Sequence, residues 1–294
     1  MDTPSTLSPA QVASAMVAHG VAKHKTRVDI VFFKFLAGVM LSFGGLLYVV
    51  VVGGSTGLTA SNPGLVHVLG GFVFPVGLVM IVLNGYELLT SNMMVFPMAV
   101  IKRAIPWWGL PLNWLVVTFG NLCGSLFFAA ILVKYTGILA AAPYPDWIMA
   151  FTLTKAAKPE WHEIFLRGIA CNWLVSIAVW QAAGAKETSS KVIAIWIPIW
   201  VFVSCSFDHI VANMFFVPLG ILFHADLTVA AYIRKSFIAA FLGNMVGALF
   251  VALPAVYFYM GDHGAEGLKG VEEGEGLNEP SSVRADSADV KREN

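Results

Sequence analysis

Charge is what this chain has least of. Only 12% of its 294 residues are charged, while 57% are hydrophobic. A soluble domain carries about a quarter charged residues, so the composition excludes an ordinary soluble fold and describes a polytopic membrane protein. The charge that is present is unevenly placed. Nine of the eighteen acids lie beyond Gly261, in a Gly-, Ser- and Glu-rich tail predicted to be disordered. The formal net charge of zero therefore says nothing about partners, and no nucleic-acid partner is expected. Cysteine is scarce too. Cys123, Cys171 and Cys205 sit in apolar segments at unrelated spacings, which argues against a disulfide framework or a thiolate metal site. Cys205, Asp208 and His209 fall short of the usual ligand count, so no metal is expected. The N-terminus lacks an early basic patch followed by an apolar run, so no signal peptide is expected. No nucleophile-base set or phosphate loop is visible; neither an enzyme nor a cofactor is expected.

What the chain does have is long apolar runs, at about residues 29–53, 65–100, 110–134, 162–183, 190–223 and 231–259. A membrane-spanning helix needs roughly 20 apolar residues, so these predict six spans. The second and fifth runs are too long for one ordinary span, and polar residues interrupt both near the middle: GYELLTSNMMVFP and SCSFDHIVANMFFVP. Non-helical backbone at membrane depth is tolerated only where protein or a water-filled cavity surrounds it. Both interruptions are therefore candidate pore linings. Short-loop Lys and Arg (Lys23, Lys25, Arg27, Lys102, Arg103, Lys186, Lys191) predict cytoplasmic N- and C-termini. Arg234, Lys235, Lys155 and Lys158 dissent. The expected organisation is a cytoplasmic segment (1–28), a six-span domain (29–260) and an acidic cytoplasmic tail (261–294).

The two interrupted runs match each other. With Glu87 over Asp208, ELLTSNMMVFPMA aligns with DHIVANMFFVPLG, pairing Asn92 with Asn213 and Pro97 with Pro218. About one helix later GNLCGSLF aligns with GNMVGALF, pairing Asn121 with Asn244. The chain thus reads as a duplicated three-helix unit, with repeats at about 29–134 and 162–259. An odd number of spans per repeat inverts one half relative to the other, and inverted repeats with broken helices point to a substrate site near the midplane. Asn92 and Asn213 are expected to cap the half-helices that follow them, with Pro97 and Pro218 close to the first turn. Asn121 and Asn244, between glycines, are expected to satisfy the opened backbone of the neighbouring half. Glu87 and Asp208 read as structural groups pairing with backbone donors at the breaks. Arg167 and Lys34 read as snorkelling side chains, and Trp107, Trp108 and Trp114 as interface anchors.

FDHIVANMFFVPLG (207–220), RGIACNWLV (167–175), ELLTSN (87–92) and GNLCGS (120–125) resemble the formate/nitrite transporter family over roughly residues 20–260. The resemblance implies an all-α, aquaporin-like protomer with broken helices two and five. It also implies a homopentamer in the lipid bilayer, with one pore per protomer for small monovalent anions of weak acids. It assigns His209 as the pore histidine, Thr90 as the hydroxyl in the break of span two and Asn172 as the pore asparagine. Phe74, Leu78 and Phe202 become the apolar constriction and Lys155 the vestibule lysine. Lys155 lies one residue farther from Asn172 than the family spacing, and Lys158 is the nearby competitor. Tyr86, Leu89 and Ala248 also depart from the family pattern.

Apolar rings reject a bare anion, since losing its hydration costs many kcal/mol. A weak-acid anion escapes by taking up a proton, because desolvation favours its neutral form. The expectation is a proton-linked channel in the plasma membrane, with protons and a small anion as partners. The RGIACNWLV form is similar to members handling nitrite as well as formate, which tilts the expectation to nitrite. Formate, lactate, acetate or hydrosulfide remain alternatives. A water- or glycerol-type pore is less favoured, because paired Asn-Pro-Ala elements and an Arg filter are missing.

Overall fold

The computed structural model describes residues 5–25 and 29–261; the acidic stretch from 262 onward lies outside the described residues, as do 1–4 and 26–28. Among the described residues, five helices are long and apolar enough to cross a membrane: Phe32–Gly53, Pro63–Leu83, Gly109–Tyr135, Trp161–Gly184 and Val229–Tyr259. These are spans one, two, three, four and six. Leu89–Ile101 continues span two after a break and is called 2b. Span five consists of two shorter helices, 5a (Thr188–Ser204) and 5b (Ile210–Leu222). The chain is an all-α integral membrane protein, with no strand among the described residues.

The two breaks share one local geometry. Helix two ends with Gly85 at φ +70°, and helix 5a ends with Ser206 at φ +59°; in the alignment of the halves these are the same position. Each end is a Schellman turn. Tyr86 N–H reaches back to Ile81 O at 2.9 Å and Gly85 N–H to Val82 O at 3.2 Å; Phe207 N–H reaches Phe202 O at 3.1 Å and Ser206 N–H Val203 O at 2.9 Å. The chain then runs extended through Leu88 (φ −98°, ψ 133°) and His209 (φ −97°, ψ 120°) into 2b and 5b. A second matched pair of left-handed residues, Arg103 and His224, closes 2b and 5b.

The sequence places the interruption mid-run. In the structure the 21-residue helix before the first break is long enough, at 1.5 Å per residue, to cross the hydrocarbon by itself. The two breaks nonetheless come together, with Thr90 at the start of 2b 3.1 Å from His209 at the start of 5b.

Small residues set the helix spacing. A Cβ added at Gly124 would lie 2.0 Å from Phe35 O, and one at Gly247 2.2 Å from Ile169 O. Span three thus packs backbone to backbone on span one, and span six on span four. The outward faces carry large apolar groups such as Leu115, Phe119 and Phe258, as lipid requires.

One element goes beyond the sequence expectation. Residues Pro9–Lys25 form a helix packed on 2b and on spans four and six. Its Val12, Ala13, Met16 and Gly20 are buried.

Candidate functional site

The two halves meet at His209 and Thr90. His209 is the N-cap of 5b, and its Nδ1 accepts the Ala212 N–H at 3.1 Å. A neutral ring that accepts at Nδ1 carries its hydrogen on Nε2. That nitrogen lies 3.1 Å from Thr90 Oγ1, in the first turn of 2b. His209 therefore donates to Thr90, and the Thr90 hydroxyl keeps its own hydrogen to offer. Both residues are buried. Phe202 stacks on the His209 ring at 5.8 Å, and Phe74 meets Phe202 edge-on at 6.0 Å. These rings, with Phe216 and Tyr48, line a small cavity of about 30 Å³ that reaches His209. Leu78 is buried one turn from Phe74 and does not line this cavity.

Asn172 enters from span four. Its Nδ2 donates to Thr90 O at 3.2 Å and to Asn244 O at 2.8 Å, while its buried Oδ1 has no partner among the described residues.

Asn121 and Asn244 hold the breaks open. Asn121 Oδ1 accepts Leu89 N–H at 2.9 Å, and its Nδ2 donates to Glu87 O at 2.9 Å and Lys34 O at 2.7 Å. Asn244 does the same for Ile210 N–H (2.9 Å), Asp208 O (2.8 Å) and Gly168 O (2.9 Å).

Asn92 and Asn213 differ from the sequence expectation. Neither caps a helix; each lies inside 2b or 5b and donates to an acid, Asn92 Nδ2 to Glu87 Oε2 at 3.1 Å and Asn213 Nδ2 to Asp208 Oδ1 at 3.4 Å. Pro97 and Pro218 are likewise interior, well past the first turn.

The acids differ as well, because their charge partners are lysines rather than backbone donors. Glu87 lies 4.0 Å from Lys34 and Asp208 3.4 Å from Lys155. Lys34 is thus a buried ion-pair member and not a snorkelling group.

Lys155 Nζ also donates to Ser206 O at 2.6 Å and Phe207 O at 3.4 Å, whereas Lys158 is exposed. Lys155 stands between the small cavity and a wider vestibule of about 190 Å³, which Arg167 also lines. At the other break Lys23, from the N-terminal helix, donates to Asn92 Oδ1 at 2.7 Å. Burial lowers the Lys23 pKa, the Glu87 carboxylate raises it again and Lys34 lowers it further. Sequence reasoning missed Lys23 because nothing local marks it; Lys34, as the only charge within span one, was the available signal. Trp114, expected at the interface, turns inward and donates to Asn92 O at 3.2 Å. Trp107 and Trp108 are exposed. Among the described residues no group of three or more His, Cys, Asp or Glu side chains could hold a metal.

The formate/nitrite transporter family model matches residues 10–258. The chain belongs to this family. A "Probable formate transporter" of Methanothermobacter thermautotrophicus is 38% identical over 269 residues, covering 86% of this chain and 97% of the relative. A formate channel of Bacillus thuringiensis is 37% identical over 261 residues, covering 87% and 96%. Among solved structures, a pentameric formate channel with formate bound superposes with a TM-score of 0.69 at 31% identity, covering 79% of this chain and 97% of that one. Membership of the formate/nitrite transporter family makes this chain an anion channel and not an enzyme.

Proposed function

We propose that the protein passes formate and nitrite together with a proton, through one pore in each protomer of a homopentamer. The observation that carries this reading is the donor pair His209–Thr90, 3.1 Å apart beneath a lid of aromatic rings. A bare anion loses hydration there at a cost of many kcal/mol, whereas its neutral acid passes. Lys155 gathers the anion before dehydration, and Phe74 and Phe202 exclude it while charged. The Thr90 hydroxyl, its oxygen held by the His209 Nε2–H, then offers its own hydrogen to an oxygen of formate or nitrite. Lys23, Lys34 and Glu87 cluster at the other break. The pentamer is read from the solved neighbour. The cytoplasmic termini rest on short-loop charge, with the Lys155 vestibule then outermost, and the plasma membrane is the proposed location.

The test is initial uptake of formate and nitrite into liposomes under an inward proton gradient, comparing wild type with His209→Asn. Asparagine is a good N-cap, so 5b keeps its start while the imidazole reaching Thr90 is lost. Wild type moves both anions and slows when the gradient collapses. His209→Asn assembles normally and loses about tenfold to a hundredfold in rate, because Thr90 loses the donor that orients its hydroxyl towards the anion, a hydrogen bond worth about 1.5–3 kcal/mol when a charged group is involved. Wild-type liposomes permeable to water or glycerol but to neither anion would overturn the reading.

A further inference from the structure

The vestibule beyond Lys155 holds a base that the pore reading leaves without a task. His67, in the first part of span two, lines the same cavity of about 190 Å³ as Lys155, Arg167 and Thr154, and no acid lines it. The cavity adjoins the smaller chamber, with Tyr48, Phe151, Lys155 and Ser206 lining both. An anion on its way to His209 therefore passes the His67 ring.

Charge accounting singles His67 out. Lys155 is offset by the Asp208 carboxylate at 3.4 Å. Arg167 is offset by Glu163 at 3.7 Å. Tyr48 is neutral at any pH near 7, and the short helix Thr56–Ser61 beside span two carries no charge. Among the described residues His67 is the one base of this cavity with no acid against it. The vestibule is close to neutral with a neutral imidazole and gains a net positive charge with a protonated one.

The ring is also held so that it can charge without moving. His67 Nδ1 lies 3.2 Å from Ser204 O and 3.3 Å from Ser206 Oγ. Donation from Nδ1 to the Ser204 carbonyl leaves Nε2 as the basic nitrogen of the neutral ring. Protonation adds a donor at Nε2 and keeps both contacts to the break of span five. Ser206 O at the same time takes the Lys155 ammonium at 2.6 Å, so both bases are anchored on one residue. The ring is exposed to the vestibule.

We propose that His67 is a proton-responsive collector for small monoanions: protonated from the vestibule side, it supplies the unpaired charge that holds a carboxylate or nitrite beside Lys155 before the aromatic constriction. This rests on the reading of the pore given above.

The test measures formate influx into proteoliposomes at external pH 5.5 and 8, for wild type, His67→Gln and His67→Lys. Glutamine keeps a donor for Ser204 O and cannot charge; lysine stays charged at both pH values. The ratio of half-saturation constants, variant to wild type, cancels the pH dependence of formic acid itself. For His67→Gln the ratio should be near one at pH 8 and rise about threefold to tenfold at pH 5.5, with the maximal rate unchanged. His67→Lys should show the reverse, a ratio near one at pH 5.5 and below one at pH 8. A structural role would shift both pH values alike and lower the maximal rate. Transport by wild type with pH-independent ratios in both variants overturns the collector alone. Wild type that moves neither formate nor nitrite overturns the pore reading, and the collector with it.

Discussion

Asn121 and Asn244 each commit three hydrogen bonds to one helix break. Water cannot replace a lost partner at that depth, so the amide nitrogen matters more than its size suggests. Asn244→Asp keeps the shape and turns a donor into an acceptor facing two carbonyls. It should destabilise the protein by about 2–4 kcal/mol, the range for unsatisfied buried polar groups, and Asn121→Asp should behave alike. Thermal unfolding in detergent measures this, and a variant as stable as wild type would refute the capping role. The sequence assigned Asn121 and Asn244 to the opened backbone, where they are found, but gave the helix cap to Asn92 and Asn213. Soluble helices take their cap from the residue just before the first turn, which favoured Asn92 and Asn213. Here the caps come from 32 and 34 residues downstream, a distance that only packing closes. Lys34 was misread for the same reason, since Glu87, its partner, lies a whole span away.

At the scale of elements, the broken helices were legible and the N-terminal helix was not. Polar residues inside an apolar run stand out, because hydrocarbon tolerates them only for a reason. Residues 9–25 offer no such contrast; PAQVASAMVAHGVAKHK mixes small and polar groups, and its contacts rather than its pattern seat it on 2b. That seat should respond to pH through His19. The residue is exposed in part, yet desolvation of its ring lowers its pKa first, and the nearby charges of Lys23 and Lys191 lower it further. A base whose docked pKa is depressed binds its proton more readily once released. Docking is therefore fully supported above the ordinary imidazole value of about 6.5 and weakens as pH falls through the docked value. Hydrogen exchange over residues 9–25, corrected for the intrinsic rate, should rise between pH 7.5 and 5.5 in wild type. In His19→Gln it should stay level. Equal responses in the two proteins would remove His19 from the account.

For the whole molecule, the duplication was readable because it repeats rare residues in order, and the left-handed positions Gly85 and Ser206 repeat it in backbone form. The meeting of Thr90 with His209 was not readable as a distance, since it joins opposite halves across 119 positions. Five copies are expected in the membrane, and native mass spectrometry from mild detergent should give five times the chain mass; a stable monomer that still conducts would make each pore self-sufficient. The capping asparagines have a further consequence, for synthesis. Among the described residues, the side-chain partners of Asn121 lie between Lys34 and Leu89, and those of Asn244 between Gly168 and Ile210. Each half therefore carries the stopper for its own opening. As the nascent chain leaves the ribosome, the first three spans can seal their gap in the bilayer before the last three exist.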